Sequence, residues 1–278
     1  MKNVSVKQIG TMASFECKNR LKVTVIWALA MAGIMILYMG LFPYIKDMAL
    51  EKFSVMPQEL LAAFGMDQTM NLTDYNGYFT MIFNIINIIL AMGAAMRGAT
   101  ILHDEESQET IEYLYGNSVS RHEIFISKAV SIVAIDIFIT IFTGIGIFAT
   151  DFADGTSDLC ITGTLWILFF SLVLQLTFSA LGLFIATIAK KTAKAGNTAI
   201  SVMLATYIIG YMSSINIEKL EFLKYFSPIH YLSPSMIMNS QFGLDLADFD
   251  IIGPVISTFI IIILCIVAGK LYIKKDLC

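Results

Sequence analysis

Apolar residues gather into six long runs along the chain: Val23 to Tyr44, Tyr78 to Leu102, Ala129 to Thr150, Ile161 to Ala189, Thr198 to Ile215 and Ile251 to Ile273. A hydrocarbon layer about 30 Å thick is crossed by roughly 20 helical residues, so each run has the length of a transmembrane helix. The alternation of period two that barrel strands require is missing from all six. The pattern therefore predicts an all-α polytopic membrane protein of six transmembrane helices, with residues 1–278 forming a single transmembrane domain. The first run follows a polar, basic leader and is itself a full span long, which does not suit the short apolar region of a cleaved signal.

Between the runs the polar segments carry weaker patterns. In the leader Val6, Ile9, Ala13, Cys17 and Leu21 recur at helical spacing while Lys7, Lys18 and Lys22 fall elsewhere, which predicts an amphipathic N-terminal helix lying in the membrane interface. Phe15 lies off that stripe and Arg20 on it, so a merely solvated leader competes with this reading. The segment from Ile45 to Gly77 has room for a short surface helix around Leu60, Leu61 and Phe64, and Asn71-Leu72-Thr73 is a weak glycosylation match. From Asn216 to Asp250 charge alternates with Leu220, Phe222, Leu223 and Phe226, and Ser227-Pro228 and Ser233-Pro234 follow. Each proline should end any helix before it, and the segment suits a short helical hairpin before the last span or, equally, a surface loop over a buried patch.

Composition sharpens the membrane reading. Of 278 residues 57% are hydrophobic and 14% charged, with a mean hydropathy of +0.74, whereas soluble domains are about a quarter charged. The net charge of −4 matters less than its distribution. With six spans, the side holding both termini carries Lys2, Lys7, Lys18, Arg20, Lys22, Arg121, Lys128, Lys190, Lys191, Lys194, Lys274 and Lys275, whereas the opposite side has only Lys46, Lys52, Lys219 and Lys224. Basic residues are retained on the cytoplasmic face during insertion, so both termini are expected in the cytoplasm of a bacterial cell, with the chain in the plasma membrane. Cys17, Cys160, Cys265 and Cys278 are too scattered for a disulfide framework or a zinc site.

One loop carries more order than a connector needs. Between the second and third runs Ile111, Leu114 and Tyr115 form one face of a short helix and Glu105, Glu109 and Glu112 another, and Gly116 supplies a C-terminal stop. Ser120 and Glu123 then form a capping box, in which the serine oxygen accepts from the backbone three residues on and the carboxylate reaches back, so the third long helix should start near Arg121.

These residues are where a family resemblance becomes visible. Glu105 or Glu106, then Thr110-Ile111-Glu112-Tyr113-Leu114, then Val119-Ser120-Arg121 and Lys128, resemble the pattern that permeases of type 2 ABC exporters carry between their second and third spans. Glu109 stands where that family has glycine, and Ser118 where it has proline. The resemblance implies that the loop is a coupling helix seated on a separate ATPase, with Glu105, Glu106, Glu109, Thr110, Glu112, Leu114, Ser120, Arg121 and Glu123 as its residues. It also implies that six spans are half of a transport path, completed by a second copy or a similar permease, and that ATP and Mg are held by the cytoplasmic ABC ATPase subunit.

Catalytic signatures are lacking. No Gly-x-x-x-x-Gly-Lys-Ser/Thr phosphate loop occurs, His122-Glu123 lacks the second histidine of a zinc protease, and no Gly-x-Ser-x-Gly elbow is present. The chain is therefore expected to be no enzyme, and to bind no cofactor, metal or nucleic acid. Strongly polar groups within the runs are Asn84, Asn87 and Arg97 in the second, Asp136 in the third and Gln175 in the fourth. Such groups face protein or water, and Arg97 and Asp136 fall within a few ångströms of the same depth, counting about 1.5 Å per residue from the helix ends. On the second run Thr80, Asn84, Asn87, Ala91, Ala94 and Gly98 share a face suited to close helix packing or, alternatively, to lining a substrate route.

The function expected is that of a transmembrane permease subunit of an ATP-driven exporter, in contact with lipid, moving an amphipathic or hydrophobic compound outward. A drug, a peptide antibiotic and a lipid-like molecule all fit. The competing reading is a non-transporting immunity or sensor protein that binds a peptide at its outer loops, for which a rigid inner loop serves no purpose.

Overall fold

The computed structural model describes residues 6–46, 74–102, 120–154, 159–189, 192–213, 225–236, 238–239, 243–244 and 252–274. Its helices are α1 (Val6–Asn19), α2 (Leu21–Gly40), α3 (Tyr75–Ile101), α4 (Arg121–Asp154), α5 (Ile161–Ile188), α6 (Thr192–Ser213), α7 (Pro228–Tyr231) and α8 (Ile252–Lys274). Six of these are long and apolar enough to cross a membrane, and they coincide with the six apolar runs. The all-α fold is as expected, apart from a ladder of two residues a side in which β1 (Met238–Asn239) pairs antiparallel with β2 (Gly243–Leu244).

The helices outrun the apolar stretches where polar chemistry starts them. α4 begins eight residues before the apolar run because Ser120 and Glu123 close the predicted capping box: Glu123 N–H donates to Ser120 Oγ at 3.3 Å, and Ser120 N–H donates to Glu123 Oε2 at 2.9 Å. At the other end of the bundle Asp74 Oδ2 accepts from Asn76 N–H at 3.2 Å and Gly77 N–H at 3.3 Å, which starts α3. Asn76 Oδ1 in turn accepts from Cys160 N–H at 2.9 Å, satisfying an amide just ahead of α5.

α3 and α5 form the centre and make the most extensive contact in the molecule. Their backbones touch at Gly98 and Gly182: a Cβ on Gly98 would meet the carbonyl of Ser179, and one on Gly182 that of Ala95. α6 packs on α3, and α8 on α5. α4 lies mainly against α2 and α1, and there Gly146 admits Ala32, whose carbonyl would stand 2.7 Å from an added Cβ. Small residues let helices approach closely enough for dispersion to hold them where lipid removes the hydrophobic drive. The Thr80, Asn87, Ala91, Ala94 and Gly98 face of α3 is buried, as close packing requires. Large apolar side chains such as Leu37, Ile141, Phe259 and Ile263 remain exposed on the outer faces of the bundle.

Two local features go beyond the expectations. The middle of the α1 stripe turns inward, with Ala13 buried and Ile9 and Cys17 half-buried, whereas its ends are exposed, Val6 at 82% and Leu21 at 51%. Glu16, beside the stripe, is buried with it, and its partner is described below. The prolines of the outer segment also begin turns. Pro228 opens α7 and Pro234 opens a 3-10 turn over Pro234–Met236, because a proline needs no helical N–H acceptor in a first turn. Residues 47–73 and 103–119, with the expected surface helix, the sequon and the coupling helix, lie outside the described residues, as do residues 214–224 of the outer segment.

Candidate functional site

Arg97 and Asp136 meet in the middle of the bundle. Arg97 sits one turn before the end of α3 and Asp136 on the facing part of α4, and the guanidinium donates to Asp136 Oδ1 from Nη2 at 2.6 Å and from Nε at 3.0 Å. Asp136 is fully buried and Arg97 nearly so, with side-chain exposures of 0% and 13%. Both nitrogens converge on one carboxylate oxygen. The second, Oδ2, accepts from Ser179 Oγ of α5 at 2.8 Å.

Gln175 extends this cluster along α5. Its Nε2 donates to Thr140 Oγ1 at 2.8 Å, and Thr140 Oγ1 donates to the Asp136 carbonyl one turn earlier at 2.8 Å. Its Oε1 lies 3.5 Å from Arg97 Nη2, at the limit of a hydrogen bond. Ser171 Oγ, a turn farther, donates to Asn87 Oδ1 at 2.7 Å. A buried charge pair is tolerated only where hydrogen bonds satisfy its remaining lone pairs and protons, and these side chains supply that wherever they reach. Arg97 Nη1 is the exception: it is buried and has no hydrogen-bond partner among the described residues.

Asn84 departs from the cluster. It faces the outer segment, where it accepts from Ser233 Oγ at 2.9 Å and donates to Ser235 Oγ at 3.2 Å. Of the sequence-predicted polar groups, Arg97, Asp136 and Gln175 are thus brought together directly, Asn87 joins through Ser171, and Asn84 is separate.

A second ionic site lies where α1, α3 and α4 meet. Lys128 Nζ donates to Glu16 Oε1 of α1 at 3.1 Å and to the carbonyl of Ile101, the last residue of α3, at 2.6 Å. Lys128 is 1% exposed and Glu16 8%. Ser131 adds a donor to the Ala13 carbonyl at 3.3 Å, so α1 is held to α4 by polar ties as well as contact. Burial pushes the Cys17 thiol above its ordinary pKa. Glu16 is the buried charged residue that sequence reasoning missed. The available signal was its placement one turn from Ala13 and Arg20 on the helix face opposite Lys7 and Lys18.

Ser120, Arg121 and Glu123 stand where expected, at the start of α4. Ser120 Oγ is 2.8 Å from Glu123 Oε2, and Arg121 Nη1 donates to the Ile273 carbonyl of α8 at 3.3 Å. Glu105, Glu106, Glu109, Thr110, Glu112 and Leu114 lie outside the described residues. Both roots of their loop are nonetheless described, and each is chemically anchored: α3 ends at a carbonyl bound by Lys128, and α4 starts at the capping box.

A family model for the ABC-2 family transporter protein matches residues 11–277. The chain belongs to that family. It is the membrane permease component of an ABC-type transporter rather than its ATPase, and a multi-pass membrane protein. Permeases of this family work with an ATPase subunit. No curated protein matched the permease.

Proposed function

We propose that this permease is the membrane half of an ATP-driven exporter that moves an amphipathic or hydrophobic compound outward, such as a drug, a peptide antibiotic or a lipid-like molecule. It pairs with a second copy or a similar permease, and a separate cytoplasmic ABC ATPase binds ATP and Mg and drives it. The basic residues at the termini and just after the 103–119 loop, Arg121 and Lys128, support a cytoplasmic placement of the termini and this loop at a bacterial plasma membrane. α1 then lies in the inner interface. Its exposed Lys7 and Lys18, with Lys22 just beyond, suit anionic headgroups, and its exposed Phe15 suits the acyl boundary.

The observation that carries this reading is the anchoring of both loop roots. A segment that transmits force must not dissipate it where it joins the helices, and the capping box on one side and Lys128 on the other supply that stiffness. The acidic face of Glu105, Glu109 and Glu112 is the docking element. The direct test reverses Glu109 and Glu112 to lysine in the full-length permease and measures co-purification of the ATPase. Loss of the partner with the permease retained in the membrane is expected, since surface changes shift stability by only about 0.5 kcal/mol. Full binding and full ATPase activity in that variant would reduce the loop to a connector.

A further inference from the structure

The helices of this bundle fall into two groups. α1 and α2 each pack on α4, while α3 and α5 pack on each other, α6 packs on α3 and α8 on α5, and each contact between the groups is thinner than any of these. Within each group the closest contacts are between backbones: Gly98 and Gly182 join α3 to α5, and Gly146 against Ala32 joins α4 to α2. Such contacts have no side chain that can change rotamer, so each group is stiff.

Between the groups lies an apolar core, in which Met31, Met35 and Met39 of α2 and Ile135 and Ile139 of α4 join residues of α3 and α5, and polar side chains reach across it. From the loop end upward these polar ties include Arg121 to the Ile273 carbonyl, Lys128 to the Ile101 carbonyl, Arg97 to Asp136, Ser179 to Asp136, Gln175 to Thr140, and Tyr78 Oη to the Tyr38 carbonyl at 2.8 Å. A small apolar cluster including Ile101, Phe125, Ile132 and Leu183 accompanies them at the loop end. This seam is incompletely satisfied: Arg97 Nη1 and Glu16 Oε2, each in an ion pair that borders it, are buried without hydrogen-bond partners among the described residues. Unmet donors and acceptors in a dry interior raise the energy of an arrangement and leave room for another that meets them. The 103–119 loop joins α3 of one group to α4 of the other, so a force on it acts across the seam.

We propose that the permease works as two rigid helix groups, α1–α2–α4 and α3–α5–α6–α8, that shift against each other across this seam, with the Arg97–Asp136 pair as the latch. That the ATPase drives the shift rests on the coupling function proposed above; the division into two bodies does not. A latch of one carboxylate shared by a guanidinium and a hydroxyl can exchange partners without exposing a bare charge to lipid, which an apolar seam has no need to do and a backbone contact is unable to do.

The test uses cysteine pairs in the full-length chain, with the remaining native cysteines replaced and a short reducible cross-linker. Gly144→Cys with Leu168→Cys spans the seam, since a Cβ at 144 would lie 3.0 Å from the Leu168 side chain. Thr100→Cys with Gly196→Cys lies within one group, where the corresponding distance is 3.8 Å. Native Cys17 with Ser131→Cys lies within the other, where Cys17 Sγ is 3.9 Å from the Ser131 carbonyl. In the assembled complex, cross-linking the seam pair should lower ATP hydrolysis about tenfold relative to the same sample after reduction, while the within-group links leave it within about twofold. Equal loss from all three links, or none from the seam link, overturns the two-body motion.

A second arm needs no ATPase. In the permease alone, in lipid nanodiscs, Asp136→Asn should lower the cross-linking rate of the seam pair severalfold and leave both within-group rates unchanged. A uniform fall would mean general unfolding and an unchanged seam rate would mean no latch, and either result overturns the proposal. Failure of the first arm with success of the second would remove the ATPase coupling while leaving the two bodies in place.

Discussion

The contact between α3 and α5 and the contact of both with α4 solve the same problem in opposite ways. At Gly98 and Gly182 two helices touch through backbone, and the absence of side chains is what brings them together. At Asp136 the helices are held apart by side chains that must reach and pair, and the result is a polar layer inside an apolar bundle. The first arrangement is stable because nothing in it can move. The second is specific, because an Asp in lipid or in an apolar core has few alternatives to this pairing, but its stability depends on every partner being present. The comparison separates what holds the bundle together from what lets parts of it exchange.

The largest effect is expected at the backbone contact. Gly182→Val or Gly98→Val would drive a branched side chain into the facing carbonyl, which exceeds the about 1–3 kcal/mol of ordinary overpacking because backbone has no rotamer to yield. Membrane abundance of both variants should collapse. If either accumulates normally, the close approach is not what holds α3 to α5.

Next comes Asp136→Ala. Leaving Arg97 buried and unpaired should cost about 3–5 kcal/mol, seen as a lower thermal midpoint in detergent. Exchanging the charges, with Asp at 97 and Arg at 136, should recover part of that loss through coupling between the sites. A swap no better than the sum of its single variants would mean that the hydroxyl and amide partners, rather than the ion pair, fix the arrangement.

Lys128→Met is smaller. It strips a donor from Glu16 and from the Ile101 carbonyl, a loss of about 1–3 kcal/mol for the groups left buried. Its distinguishing readout is proteolysis of the leader, which should become faster in this variant and stay unchanged in the Asp136 variant.

Ser120→Ala is the smallest, about 1 kcal/mol through loss of the cap. In the assembled complex the ATPase should still bind but respond less to transported compounds. Normal coupling in this variant would show that the start of α4 need not be stiff.

Much of this molecule was legible before any coordinates. Six apolar runs became six helices, and the Ser120–Glu123 box started α4 at Arg121 as the spacing predicted, because both features depend on residues within a few positions of each other. Hydrophobic length against membrane thickness, and a serine three residues before a glutamate, are local chemistry. The pairing of Arg97 with Asp136 was approachable too, since both helices cross the same slab and depth can be counted from their ends. The family pattern around Thr110, Glu112 and Ser120 likewise pointed to the family whose model matches residues 11–277.

What the chain alone left open concerns rotation and neighbours. Helical periodicity places Glu16 on a face but does not say that Lys128, 112 positions later, waits there, and of the apolar stripe of α1 the fold buries Ala13 while exposing Val6 and Leu21 at the ends. Ser179, Thr140 and Ser171 are ordinary helix residues until α5 is pressed against α3 and α4, when their hydroxyls become the partners that make a buried charge tolerable. Sequence determined the six membrane-spanning helices and the start of α4, because each of those is set by local composition. Only the tertiary structure decided which helices form one body and which meet across a polar seam, because that depends on shape complementarity between surfaces far apart in the chain.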